Sequence, residues 1–217
     1  MNPDYTRAAT KAAETLIKYG VRMTPVAPLP ILEQLGNVLL ISFSDISDTS
    51  SISQQELILN HFNMNRDAIT SCSTENGKLS YVVAYNSLLP FSAVQHALAR
   101  ELAHVILGHQ VSTPETAAEA SCFVHHLLCP RPLVHTFQAM GLRITSDLLA
   151  NLTGACNQDL TAMRRIPATV IPAGLNQFIR NNFMPFAMNF FEYYKTIRLK
   201  DGSAVADLGT FMNGYEE

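Results

Sequence analysis

An α+β fold is predicted by three features of this chain: an Asn-Gly turn between two extended runs, a β-branched apolar segment ahead of them, and an almost wholly helical pattern from Pro90 onward. Asn2 followed by Pro3 predicts an N-cap with proline at the first helical position. Gly20 supplies a C-terminal stop, so residues 3 to 19 are expected as a helix with Tyr5, Ala8, Ala12, Leu16 and Tyr19 as its apolar stripe. A Pro-rich link, Pro25 to Pro30, leads into a short helix ending at Gly36. Asn37 to Ser44 is apolar and β-branched enough for a buried strand.

Residues 45 to 65 are rich in Ser, Asp and Asn around one amphipathic run, Gln54 to Phe62, expected as a surface helix. Residues 68 to 73 and 78 to 86 flank Thr74-Glu75-Asn76-Gly77, a hairpin signal because both turn residues accept positive φ. Pro90 opens a long helix through His109, and Thr113-Pro114-Glu115 caps the next, which runs to about Leu128 before Pro130. Gly141, the Thr145-Ser146-Asp147 cap and Gly154 divide the region after Pro130 into three short helices ending near Ile166. The stretch from Ile144 to Arg165 has a helix-turn-helix look, but only Arg164 and Arg165 are basic there, so packing is the expected role. A last helix from Ala173 to Tyr194 carries Pro185 inside it and is expected to be kinked or split.

With 217 residues, 47% of them hydrophobic, the chain has material for a real core. A net charge of −3 with 15 Lys plus Arg gives no electrostatic footprint for nucleic acid or an anionic membrane surface. No stretch reaches the roughly 18 to 20 apolar residues of a membrane span, and Met1 to Arg7 is not followed by the apolar core of a signal peptide. Cys72, Cys122, Cys129 and Cys156 form neither a Cys-x-x-Cys pair nor a dense framework. A cytoplasmic protein is expected.

The helix from 90 to 109 carries the chemistry. Ala93, Ala97, Arg100, Glu101, His104 and Gly108 share one face, at about 100° per residue. A zinc helix of the His-Glu-x-x-His type places two imidazoles one turn apart with a glutamate beside them to activate bound water. Here Glu101 and His104 stand, but Arg100 occupies the first ligand position, and a guanidinium has no lone pair to offer a metal. On the next helix Glu115, Glu119, Cys122 and His126 are spaced by four, three and four, so that one face converges on the first helix.

The segment from Tyr81-Val82-Val83-Ala84-Tyr85-Asn86 through Ala99-Arg100-Glu101-Leu102-Ala103-His104, Leu107-Gly108-His109 and Glu119-Ala120-Ser121-Cys122-Phe123, to Leu127-Leu128-Cys129-Pro130, resembles the ImmA/IrrE family of zinc metallopeptidases. The resemblance covers about residues 1 to 165 and implies a reduced zincin-like fold. Residues 1–130 would form the zincin-like domain with its small sheet and hairpin, 131–199 a helical C-terminal extension packed on it, and 200–217 a loosely held tail. It further implies that His104 and Glu119 are metal ligands and Glu101 the general base. Arg100 departs from the pattern severely, and Ala103, in place of the usual glycine, only mildly.

Other residues fill the gap poorly. His96 lies eight residues before His104, about 12 Å along the helix axis. His109 lies about 140° around the helix from His104, and the family keeps a histidine there without using it as a ligand. Cys122, one turn after Glu119, is the only geometrically tempting substitute. Two carboxylates, Glu101 and Glu119, without zinc between them need a cation, and Arg100 supplies one, with an expected fork onto Glu119. The sequence thus predicts a peptidase-derived protein with no cofactor, its zinc frame vestigial, which acts by binding a protein partner. The resemblance suggests a repressor of a mobile element or stress response as that partner. The alternative is an active metallo-endopeptidase that holds zinc through a non-standard site and cleaves such a regulator.

Overall fold

Asn76 and Gly77 take φ of 51° and 74°. Positive φ at both central residues matches the right-handed twist of the strands they join. They close a hairpin between β2, Ala68–Glu75, and β3, Lys78–Tyr85, paired antiparallel with Glu75 opposite Lys78. A third strand, β1, Val38–Ser42, runs parallel to β3 with Val38 opposite Tyr81, so the sheet order is β1-β3-β2. The computed structural model describes residues 2–61, 67–154 and 169–201. The chain is a mixed α+β protein, and it gathers into two units: Met1–Pro3 with Ala27–Ser121, and Asp4–Val26 with Cys122–Glu217.

The sheet belongs to the first unit. Helix α2, Pro28–Glu33, precedes β1, and Ser42 at the end of β1 opens helix α3, Phe43–Ser50, through a capping box. The Asp45 amide donates to Ser42 Oγ at 3.1 Å, while the Ser42 amide and hydroxyl donate to Asp45 Oδ2 at 3.2 and 2.7 Å. The Ser/Asp-rich stretch expected to surround a single helix therefore holds two. The second is one helical turn, α4, Gln54–Glu56, running on as a π-helix over Leu57–His61. Helix α5, Phe91–Leu107, packs on β2, β3 and α2. It buries Ala97, Leu98, Ala99, Leu102 and Ala103 toward a core that includes Leu32, Phe43 and Val83.

Helix α6, Pro114–Leu128, crosses from the first unit into the second. The second unit also holds α1, Tyr5–Lys18, α7, Arg131–Ala139, α8, Ser146–Thr153, and α9, Ala173–Asp201. The cap of α1 is Asp4, whose carboxylate accepts from the Arg7 amide at 2.8 Å, rather than Asn2, and Pro3 stands outside the helix. Helix α9 continues unbroken through Pro185 and packs on α7 and α1. Ile179, Phe183, Phe186, Ala187 and Phe190 are its buried stripe, and Phe190 meets Phe137 edge-on with centroids 5.4 Å apart. The third short helix near Ile166, Cys156, and the tail beyond residue 201 lie outside the described residues. No described helix is long and apolar enough to cross a membrane.

Candidate functional site

Burial of a small-residue face positions the site on α5. Ala97, Ala99 and Ala103 let the helix lie close against its neighbours, and Glu101 is carried inward with them, its side chain 5% exposed. A buried carboxylate needs hydrogen bonds and a counter-charge. Arg100 supplies both: its Nε donates to Glu101 Oε1 at 3.2 Å from a side chain 41% exposed. Adjacent helix residues do not face each other by periodicity alone, so it is the length of the arginine that brings its head back over Glu101. The fork expected from Arg100 onto Glu119 is replaced by this nearer pairing.

Glu119 lies in a second cluster. The chain leaves α5 through Gly108 at φ 71°, with the Gly108 amide donating to Val105 O and the His109 amide to His104 O. This pair of bonds is a Schellman stop, and it folds His109 back over the last helical turn. His109 Nδ1 then stands 2.9 Å from His104 Nδ1, the rings edge-on at 5.0 Å. Its Nε2 is 3.1 Å from Glu119 Oε2. His109 and Glu119 side chains are 6% and 12% exposed. Two Nδ1 atoms in contact share one proton, so one ring donates and the other accepts. With Glu119 accepting from His109 Nε2–H, a neutral His109 accepts from His104 Nδ1–H, and the three residues form one polarised chain.

No family model, curated protein or solved structure matches the chain.

The structure thus divides the predicted site residues into two bonded groups. Arg100 and Glu101 form one, and His104, His109 and Glu119 the other. Cys122, the tempting substitute ligand, belongs to the second unit, is fully buried, and directs its Sγ–H to the Tyr5 carbonyl at 3.4 Å. Of the donor set a zinc helix would use, the first position holds a guanidinium, and Glu119 bonds an imidazole that the sequence leaves aside. Among the described residues no three His, Cys, Asp or Glu side chains form a group that could hold a metal ion.

His109 is the residue that periodicity misses. The 140° offset from His104 assumes that the helix continues, and Gly108 ends it. The Leu-Gly-His sequence carries the signal, since glycine one residue past a helical pattern marks a left-handed stop. His126, which spacing puts on one face of α6 with Glu119 and Cys122, is buried, and its Nε2 lies 2.7 Å from Thr169 Oγ1. Burial, with the neighbouring His125 and Arg131 charges, pulls its pKa down to about 3.

Proposed function

We propose that this chain derives from a metallopeptidase of the ImmA/IrrE type and acts by binding a protein partner rather than by zinc-dependent proteolysis. The observation that carries the reading is the Arg100–Glu101 pair. In a zinc helix the first ligand and the general base are consecutive residues, and here those two positions neutralise each other at 3.2 Å. A base must reach the attacking water, and here the guanidinium beside it occupies a Glu101 carboxylate oxygen. The His104–His109–Glu119 chain supports the same conclusion, because it satisfies by internal hydrogen bonds two groups that a metal would otherwise coordinate. An order of strand, hairpin, degenerate zinc helix and Glu-Ala-x-x-Phe helix supports descent from a reduced zincin-like domain. The partner, by this resemblance, is a transcriptional regulator of a mobile element or stress response. This assignment rests on the motif resemblance of residues 99–130.

Elemental analysis of the purified protein beside its Arg100→His variant tests the reading. The parent, dialysed against zinc, is expected to retain well under one equivalent. The variant is expected to approach one equivalent and to lose it again on Glu119→Gln. Stoichiometric zinc in the parent, lost on His104→Ala, would overturn the proposal in favour of an active peptidase with a non-standard site. Co-purification from the native host that recovers no specific partner would overturn the binding role.

A further inference from the structure

The second unit contains a cavity of about 200 Å³ between the start of α7 and the start of α9. Its polar lining is Arg131, His135, Thr169, Asn176 and Arg180, with Pro132 and Ile171 as apolar wall. Among the described residues the lining contains no carboxylate, and neither arginine enters an ion pair. We propose that this cavity binds the phosphate group of a small-molecule phosphate monoester.

Arg131 is the first residue of α7, where the helix dipole is positive and a cation is disfavoured. The N-cap before it is Pro130, which makes no side-chain cap bond, and the first turn of α7 carries no acidic residue. A second guanidinium on the same cavity adds like-charge repulsion. Two arginines on one cavity with no ion-pair partner among the described residues, one of them at a helix N-terminus, are an electrostatic cost that an anion removes. The charge of Arg131 is felt in the interior as well, where it adds to burial in holding the His125 pKa at about 4.

The neutral donors complete the set. His126 bonds Thr169 through Nε2, and its buried Nδ1 has no partner among the described residues. A ring protonated at Nε2 donates to Thr169 and leaves an orphaned acceptor, which costs less than an orphaned N–H. The Thr169 hydroxyl then has its own proton to give to the cavity. One Asn176 amide hydrogen goes to the Ile171 carbonyl at 3.2 Å, and the other remains for a ligand. Two guanidinium forks, a hydroxyl and an amide suit a doubly charged tetrahedral oxyanion better than a carboxylate, which one guanidinium saturates. The volume is below the roughly 300 Å³ at which sites enclosing a whole drug-sized ligand begin. The cavity therefore takes the phosphate, and the rest of the molecule lies outside it.

The test is an NMR titration of the full chain with inorganic phosphate and, separately, glycerol 3-phosphate, in chloride buffer at constant ionic strength. Saturable shifts of the Arg131 and Arg180 Nε–H signals are expected, with at least a tenfold loss of affinity for both probes in R131Q/R180Q. R180K, which keeps the charge and the fold, is expected to lose several-fold, and K195Q to bind unchanged. Non-saturating shifts spread over the surface lysines, or a double variant that retains affinity within twofold while folded, would overturn the proposal. So would binding of a phosphopeptide by a protein that binds neither small probe.

Discussion

His125 and His126 are consecutive residues near the C-terminal end of α6, and each has a buried Nδ1 without a hydrogen-bond partner among the described residues. Burial, and then the Arg131 charge, pulls His125 down to about 4; burial, His125 and Arg131 pull His126 down to about 3. Both are neutral in the folded protein at pH 7, as they are in the unfolded chain, where the pKa is about 6.5. Between these values the unfolded chain takes up protons that the folded chain refuses, so stability falls as pH drops below about 6.5 and continues to fall to about 3 to 4. At pH 5 an unfolded-state histidine is almost fully protonated and the folded ones almost fully neutral. The 1.5 units between pH 6.5 and 5 then amount to about 2 kcal/mol per histidine at 1.36 kcal/mol per unit, or roughly 4 kcal/mol for the pair. Urea unfolding at pH 7 and pH 5 measures this loss. His126→Gln isolates it, because the glutamine amide can keep the Thr169 bond but does not titrate. The variant is expected to lose about 2 kcal/mol less than the parent over that interval. Equal losses in parent and variant, or a His126 ring proton signal that titrates near pH 6.5, would refute the reasoning.

Two further substitutions probe the packing beneath the sites. Gly108→Ala places a side chain at φ 71°, with no clash in the surrounding space, so the cost is conformational and should be about 1 kcal/mol by thermal unfolding. The same change should weaken the His104–His109 contact, visible as altered ring-nitrogen shifts. Phe190→Ala removes a fully buried ring that touches Phe137, Phe186 and Tyr194, and should cost about 3 to 5 kcal/mol in chemical denaturation. A loss under about 1 kcal/mol would mean that α9 is not the core element described.

The regular elements were legible where a pattern and a stop coincided. The Asn76-Gly77 turn predicts the hairpin because only certain residues tolerate positive φ in succession, and both strands form as expected to within two residues. Periodicity gives α5 its length and Thr113 with Pro114 gives α6 its start. Helix α3 is harder to see. Its interior is Ser, Asp and Thr, which compete for backbone hydrogen bonds and suggest loop, while the Ser42 to Asp45 capping pair is a short-range signal easily absorbed into the preceding strand. The α1 cap shifts for a related reason: Asn2 and Asp4 are both good caps, and the carboxylate that reaches the Arg7 amide wins. At the site, composition and spacing identify Arg100, Glu101, His104 and Glu119 without fixing which pairs form. A long side chain can reach an adjacent residue that periodicity rules out, and a helix stop can return a residue that periodicity carries away.

These two effects bear on each other through Glu101 and Glu119. Each buried carboxylate could in principle be served by the single guanidinium at position 100 or by an imidazole. The Gly108 stop brings His109 within 3.1 Å of Glu119, which gives that carboxylate a donor and leaves Arg100 to Glu101, the more deeply buried of the two. A protein with the helix continuing past Leu107 would lose this division, because His109 would point away from Glu119. Arg100 and the histidine that the zinc pattern leaves unused are parts of one charge arrangement, and zinc uptake by Arg100→His requires that Glu119 give up the His109 bond it now holds.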